Sequence, residues 1–142
     1  MPTDDTRNAR MLSEQASCVL LVEDDPVARE RLETLITAAG YGVFSVESCA
    51  EALAAASMLT FPLMIIDRML GDGDGLQLIS TLRARSSPNR VFIMLFSALD
   101  KPDDLAEGID AGADDYLSKR GSDDELLHRL KSAIRSIHLR MK

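Results

Sequence analysis

Short runs rich in apolar residues alternate along this chain with longer segments in which apolar residues recur at helical spacing. Runs of this length that are bounded by turn residues are typical of strands buried on both faces. The pattern predicts five strands, at 18–22 (CVLLV), 42–46 (GVFSV), 63–67 (LMIID), 91–96 (VFIMLF) and 115–119 (DYLSK).

A helix is predicted after the first strand. Asp25 and Pro26 suit its N-cap and first position, and Gly40 suits its end. Its apolar residues form one stripe, which comprises Ala28, Leu32, Leu35, Ile36 and Ala39.

Four further helices are predicted between and after the other strands. Ser48 with Glu51, and Ser122 with Glu125, have the spacing of a capping box, so a helix is expected to begin at each pair. The segments 76–85 and 102–112 show the same helical periodicity.

Strands that alternate with helices indicate βαβ units, and these units build a parallel sheet covered by helices on both faces. The chain has 142 residues, which is too short for a closed eight-unit barrel. We therefore predict an α/β fold of the flavodoxin-like type, with a doubly wound five-stranded parallel sheet in the order 2-1-3-4-5 and five helices.

Composition narrows the class of protein further. The net charge of −7 argues against direct binding of nucleic acid or of anionic membranes. No apolar stretch is long enough to span a bilayer, and the N-terminus lacks the apolar core of a signal peptide, so a cytoplasmic protein is expected. Cys18 and Cys49 have neither metal-ligand nor redox spacing, and both are expected to be reduced.

The ends of the chain differ from its centre. Residues 1–16 are polar without periodicity, and we expect a mobile N-terminal tail there. The folded domain is predicted at 17–137, with 138–142 as an extension of the last helix. Apolar residues of that helix have coiled-coil spacing, so a homodimer through it is an option; they are Leu127, Leu130, Ile134, Ile137 and Met141.

Polar residues follow the predicted strands where the chain leaves the sheet. Glu23, Asp24 and Asp25 come after the first strand, and Asp67 ends the third. These two strands are neighbours in the predicted order, so the carboxylates are expected to meet at one edge of the sheet. Close carboxylates repel one another, and oxygen ligands without His or Cys favour a hard cation such as Mg²⁺.

Four motifs then carry a family resemblance. In chain order they are LLVEDDP, MIIDRMLGDGDG, FSA and GADDYLSK. Together they resemble the receiver domain of bacterial two-component response regulators, over about residues 17–137. The ordered set is specific, whereas a lone EDD would mean little.

The resemblance implies a phospho-accepting signalling switch. Asp67 would take a phosphoryl group from a histidine kinase or a phosphotransfer protein. Asp24, Asp67 and the backbone carbonyl of Met69 would hold Mg²⁺, with Glu23 acting through a water molecule. A metal is physically sensible there because an anionic donor must approach an anionic nucleophile.

The resemblance also assigns roles to three further residues. Lys119 would bind the phosphoryl oxygens, and the Ser97 hydroxyl would donate a hydrogen bond to the same group. Tyr116 would be the aromatic residue whose rotamer reports the phosphorylation state. The domain would act on itself only, through its own phosphorylation and dephosphorylation, and its output would be contact with a downstream protein or output domain.

The chain departs from the family pattern at two positions. Gly71 stands where the loop after the nucleophile usually has a proline. Arg120 stands where a proline with a cis peptide bond usually follows the lysine. A cis bond before a residue other than proline costs about 2.5–4 kcal/mol, so we expect either a trans bond with an altered loop, eased by Gly121, or local strain.

Two other functions stay open from the residues. A phosphatase with an aspartyl nucleophile could use a related sheet, although Met69 stands where such enzymes commonly have a second aspartate. Alternatively, the carboxylate cluster could be vestigial in a domain that only binds other proteins.

Overall fold

The computed structural model describes residues 18–85, 91–98 and 102–140. The predicted N-terminal tail at 1–16 lies outside the described residues, as does Met141 of the predicted apolar seam. In the described part of the chain, no helix combines the length and apolar character needed to cross a membrane.

Strands and helices alternate along the chain as the apolar pattern predicts. The strands are β1 (Cys18–Val22), β2 (Gly42–Val46), β3 (Leu63–Asp67), β4 (Phe92–Ser97) and β5 (Asp115–Ser118). The helices are α1 (Pro26–Ala38), α2 (Cys49–Met58), α3 (Gly75–Arg85), α4 (Pro102–Ala111) and α5 (Asp123–Arg140).

The five strands form one parallel sheet in the order β2-β1-β3-β4-β5. The predicted flavodoxin-like order is thereby confirmed. The central strand β3 pairs with β1 on one side and with β4 on the other. All five residues of β3 are buried, which explains why this strand is a continuous apolar run that ends in an aspartate.

Two apolar layers cover the two faces of the sheet. Alternate strand residues face opposite layers, so Ile66 packs in one layer and Ile65 in the other. The first layer takes its helical side chains from α2 and α3, including Ala52 and Ile79. The second takes them from α1 and α5, including Ile36.

The predicted helix starts are formed by side chains that cap them. Asp25 accepts a hydrogen bond from the backbone N–H of Ala28 at 3.0 Å, and Ser48 accepts one from Glu51 at 3.1 Å. Ser122 accepts one from Glu125 at 3.2 Å. Gly40 follows α1 with φ +93°, a conformation that favours glycine.

The last helix packs differently from the seam that the sequence suggests. Its buried residues are Leu126, Leu130 and Ala133, and Ile137 also packs against this core layer. Ile137 therefore contributes to the core of the fold, as Leu130 of the same seam does. His138 lies beside Tyr41, with Nε2 at 2.9 Å from the tyrosine hydroxyl.

One small element was not predicted. Met69–Leu70 and Gly73–Asp74 form a two-residue antiparallel ladder in the loop after β3. The loop thus folds back on itself before α3 begins. Cys18 and Cys49 are free thiols, as predicted.

Candidate functional site

Three carboxylates meet at the carboxyl edge of the sheet. Glu23 and Asp24 follow β1, and Asp67 is the last residue of β3, its neighbour in the sheet. Each contributes an oxygen atom to a group whose members all lie within 4.8 Å of one another. Glu23 and Asp67 are buried, whereas Asp24 is exposed. The structure thus brings together the carboxylates that the strand ends predict.

Glu23 is the most enclosed member of this cluster, with no exposed surface. Its Oε1 accepts a hydrogen bond from the backbone N–H of Asp25 at 3.1 Å, while its buried Oε2 has no hydrogen-bond partner among the described residues. Burial, followed by the interaction with Asp67, raises the pKa of Glu23 to about 8. The site therefore disfavours a third negative charge when no cation is bound.

Asp67 is held from both sides of its carboxylate. Oδ1 accepts a hydrogen bond from the backbone N–H of Met69 at 3.2 Å, and Oδ2 accepts one from Lys119 Nζ at 3.0 Å. The start of α3 packs directly against this strand end, because a Cβ atom on Gly75 would lie 2.0 Å from the Asp67 carbonyl oxygen. Asp67 as a whole residue is 2% exposed.

Lys119 reaches the cluster from the residue after β5. Its backbone N–H donates to the Ser97 carbonyl at 2.8 Å, and its Nζ lies 3.7 Å from Glu23 Oε2. The ammonium group also lies 5.2 Å from the centre of the Phe96 ring. Burial alone would lower the pKa of Lys119, but the hydrogen bond and charge of Asp67, together with the charges of Glu23 and Asp24, raise it overall. Lys119 is therefore a fixed cation beside Asp67.

The other predicted site residues have different surroundings. Ser97 is buried at the end of β4, next to β3. Met69 has an exposed side chain, and its peptide N–H is bound to Asp67. Tyr116 lies on the edge strand β5, where its hydroxyl accepts a hydrogen bond from Arg129 Nη2 at 3.1 Å. The Arg129 guanidinium also lies over the tyrosine ring, 4.3 Å from its centre.

The peptide bond after Lys119 resolves one of the open expectations. No cis peptide bond occurs within the described ranges, so Lys119 and Arg120 are joined by a trans bond. The loop is closed by a hydrogen bond from the Gly121 N–H to the Ser118 carbonyl at 3.1 Å. At the other departure, Gly71 leaves ordinary space, since a Cβ atom there would lie 3.7 Å from Asp24 Oδ2.

Several residues around the site escaped the sequence reasoning. Arg29 donates to the Glu23 carbonyl at 3.1 Å, and Arg31 donates to the carbonyl oxygens of Lys119 and Gly121. Asp72, for which the sequence suggests no role, accepts hydrogen bonds from the backbone N–H groups at the start of α2. The position of both arginines in the first turns of α1, near the carboxyl edge, was the one available signal.

The donor set fits a hard divalent cation. All side-chain atoms of the cluster that could ligate a metal are carboxylate oxygens, which Mg²⁺ prefers. The buried Oε2 of Glu23, which has no hydrogen-bond partner among the described residues, is an acceptor that a cation or its bound water would satisfy. The residues present therefore suit the metal that the strand-end carboxylates predict.

The chain is similar to known proteins in both sequence and structure. A family described as the response regulator receiver domain matches residues 19–131. The KDP operon transcriptional regulatory protein KdpE of Escherichia coli is 39% identical over 117 residues, which cover 82% of this chain and 51% of KdpE.

Solved structures give the same match. The receiver domain of the TMAO respiratory system response regulator TorR is 33% identical, with a TM-score of 0.75, and the match covers 84% of this chain and 98% of that one. The chemotaxis response regulator CheY4 of Vibrio cholerae is 26% identical, with a TM-score of 0.76, over 83% of this chain and 98% of that one.

Proposed function

The chain belongs to the family of response regulator receiver domains, and from this premise we propose that Asp67 is the residue that accepts the phosphoryl group. A phospho-accepting role in signalling belongs to the family as a whole. The observation that carries the assignment to Asp67 is the 3.0 Å contact between its Oδ2 and Lys119 Nζ, in a cluster with Glu23 and Asp24.

In the proposed reaction, a carboxylate oxygen of Asp67 attacks the phosphorus atom of the donor. The bond between phosphorus and the donor atom breaks, and an acyl phosphate forms on Asp67. Lys119 would exchange its contact with the Asp67 carboxylate for one with the phosphoryl oxygens, because the same ammonium lies within reach of both. Ser97, buried at the end of the adjacent strand, would donate its hydroxyl to the phosphoryl group.

Asp24, Asp67 and the Met69 carbonyl would hold Mg²⁺, with Glu23 acting through a water molecule. The ion would supply the positive charge that reduces repulsion between the anionic donor and Asp67. The chain itself supplies position, since β3 and the packing of Gly75 against it hold Asp67 at the rim of the sheet.

The phosphoryl donor and the output are also part of the proposal. The chain spans about half the length of the curated relatives that it matches, so the activity of those whole proteins is not carried over. We propose a histidine kinase or phosphotransfer protein as the donor. Val27 and Met69, with side chains 75% and 78% exposed beside the acidic segments, would offer it an apolar contact.

The proposal is tested by incubation with Mg²⁺ and acetyl phosphate, followed by intact-mass measurement. The wild-type chain should gain one phosphoryl group that is stable in acid and labile in base. Asp67→Asn should gain none, whereas the matched control Asp74→Asn, an exposed aspartate in the same loop, should gain one. Chelation of Mg²⁺ should abolish phosphorylation of both the wild-type chain and Asp74→Asn.

Other outcomes would identify the alternatives. Turnover of many acetyl phosphate molecules per chain would indicate a phosphatase that uses Asp67. Neither labelling nor turnover would indicate a vestigial site in a domain that only binds other proteins. Labelling that persists in Asp67→Asn would contradict the assignment of the acceptor.

A further inference from the structure

A salt-bridged arginine on α1 holds the loop that carries Lys119. Arg31 Nη2 donates to the Gly121 carbonyl at 2.6 Å, and Nη1 donates to the Lys119 carbonyl at 3.4 Å. Its Nε donates to Asp123 Oδ1 at 2.7 Å, at the start of α5. One guanidinium thus spans the whole connection between β5 and α5.

Hydrogen bonds at other points also hold this connection. Lys119 is tied to β4 through its own N–H, and the Gly121 N–H closes the turn onto Ser118. Arg120 stands where the family pattern has a proline, and its backbone N–H donates to the Ser118 hydroxyl at 3.2 Å. The carbonyl groups of Lys119 and Gly121 point toward α1, where Arg31 is the group that binds them.

Arg31 suits this task for physical reasons. A planar guanidinium presents several N–H donors in a fixed geometry, and its bonds to carbonyl and carboxylate oxygens are charge-assisted. Its side chain is 32% exposed, so solvent only partly competes for these bonds. None of the three contacts involves Asp67, and one of them is made to Lys119, which itself contacts Asp67.

We infer that Arg31 is a positioning residue for Lys119, which it holds against Asp67 by fixing the carbonyl groups on either side of Arg120 from helix α1. This inference rests on the proposed function of Asp67 and Lys119. It adds a residue that acts from a different element, across 88 to 90 positions of sequence.

The test compares Arg31→Ala with wild type in the rate of phosphorylation by acetyl phosphate and Mg²⁺. Misplacement of a reacting group can cost up to about a hundredfold, and we expect the rate constant to fall about tenfold. Arg31→Lys should restore only part of the rate, because an ammonium cannot bind both carbonyl groups in the same geometry. The matched control is Arg135→Ala, which removes an exposed arginine from α5 and should leave the rate unchanged.

A double-mutant cycle separates positioning from general damage. In a Lys119→Ala background, Arg31→Ala should change the rate by less than about twofold, because the group that it positions is already gone. An equal slowing in both backgrounds would overturn the inference, as would a wild-type rate in folded Arg31→Ala.

A second measurement does not depend on phosphorylation. In Arg31→Ala, hydrogen exchange of the Lys119 and Gly121 amides should accelerate about tenfold, while the Ile65 amide in β3 stays unchanged. Unchanged exchange at both loop amides would overturn the inference even if the wild-type chain is phosphorylated. Absence of label in the wild type would instead contradict the proposed function, and the exchange result would still decide whether Arg31 holds the loop.

Discussion

At the scale of single residues, the chemistry of the site depends on the buried carboxyl group of Glu23, in which one oxygen lacks a hydrogen-bond partner among the described residues. Glu23 has one oxygen bound to a backbone N–H and the other without a hydrogen-bond partner in the described residues. Its pKa is raised to about 8 by burial and by Asp67. At neutral pH the metal-free site therefore retains a proton on Glu23, and this proton competes with a cation.

The first prediction concerns the release of this proton. Binding of Mg²⁺ should displace up to about one proton near neutral pH, and the apparent affinity should rise as the pH increases toward about 8. Calorimetric titration in two buffers of different ionisation enthalpy counts the protons released. Glu23→Gln cannot release this proton, so an equal proton count in wild type and variant would contradict the prediction.

The same shift has a consequence for the stability of the metal-free chain. A folded-state pKa above the unfolded value means that the folded protein binds the proton more tightly. The contribution of Glu23 is therefore present below 4.5, the ordinary pKa of a glutamate, and is lost as the pH rises through about 8. Mg²⁺ should offset this loss, because it binds the ionised form.

The polar residues at the strand ends could be predicted from the sequence, because the end of each apolar run marks where its strand ends. Glu23, Asp24 and Asp67 lie together since their strands are neighbours, which the strand order predicts. The role of Arg31 could not be read in this way. Its partners lie 88 to 92 positions away, and no periodicity or motif indicates which loop a given arginine reaches.

At the scale of elements, the site depends on how closely α3 approaches β3. A Cβ atom on Gly75 would lie 2.0 Å from the Asp67 carbonyl oxygen and 2.8 Å from the Arg68 Cα. Both neighbours are backbone atoms, so neither can turn aside as a side chain would. The helix start and the strand end must move apart if any side chain is added there.

The second prediction is that Gly75→Ala damages both stability and function. We expect a loss of roughly 2–3 kcal/mol from overpacking, measured by urea denaturation, with slower phosphorylation because the end of β3 shifts. Gly71→Ala is the matched control in the same loop, since it meets only ordinary contacts and should change stability by less than about 0.5 kcal/mol. Equal stability of the two variants would contradict the explanation by overpacking at Gly75.

Arg83 joins several elements at the end of the sheet opposite the carboxylate cluster. Arg83 on α3 donates to the Val91 carbonyl at 2.8 Å and to the Gly112 carbonyl at 2.7 Å. It also forms a salt bridge with Asp114 at 2.8 Å. These contacts join α3 to the residue before β4 and to the connection between α4 and β5.

The third prediction uses Arg83 to separate stability from function. Arg83→Ala should lower the free energy of unfolding by about 2 kcal/mol, because partly buried carbonyl groups lose a charged donor. The phosphorylation rate of the folded fraction should stay at the wild-type value. The Arg83 contacts lie where the chain enters the strands, whereas Asp67 lies at the opposite, carboxyl end of β3. Arg85→Ala, which removes an exposed arginine from the same helix, should leave both quantities unchanged. A slower rate with Arg83→Ala would show that the two edges of the sheet are coupled.

The order of the elements was predictable, whereas the fine structure of their connections was not. The capping residues Asp25, Ser48 and Ser122 mark helix starts through local chemistry, and all three cap their helices. The loop after β3 has the turn residues of a solvated loop, yet Asp72 binds the start of α2. Such a contact depends on tertiary placement, which local sequence signals do not contain.

At the scale of the whole molecule, the sheet divides the apolar core into two layers with separate helices. Ile36 on α1 belongs to one layer and Ile79 on α3 to the other. Both side chains are fully buried, at 1% and 0% exposure. Each packs against its own face of the sheet, so neither shares a cavity with the other.

The fourth prediction follows from this division. Ile36→Val and Ile79→Val should each cost about 0.5–1.5 kcal/mol, since each removes one buried methylene. The double variant should lose the sum of the two within about 0.5 kcal/mol, because the sites share no contacts. Urea denaturation of the four proteins, with an unchanged dependence on denaturant, measures the coupling. A coupling above about 1 kcal/mol would mean that the sheet transmits packing changes between its faces, and therefore that phosphorylation at its rim could reach both layers together.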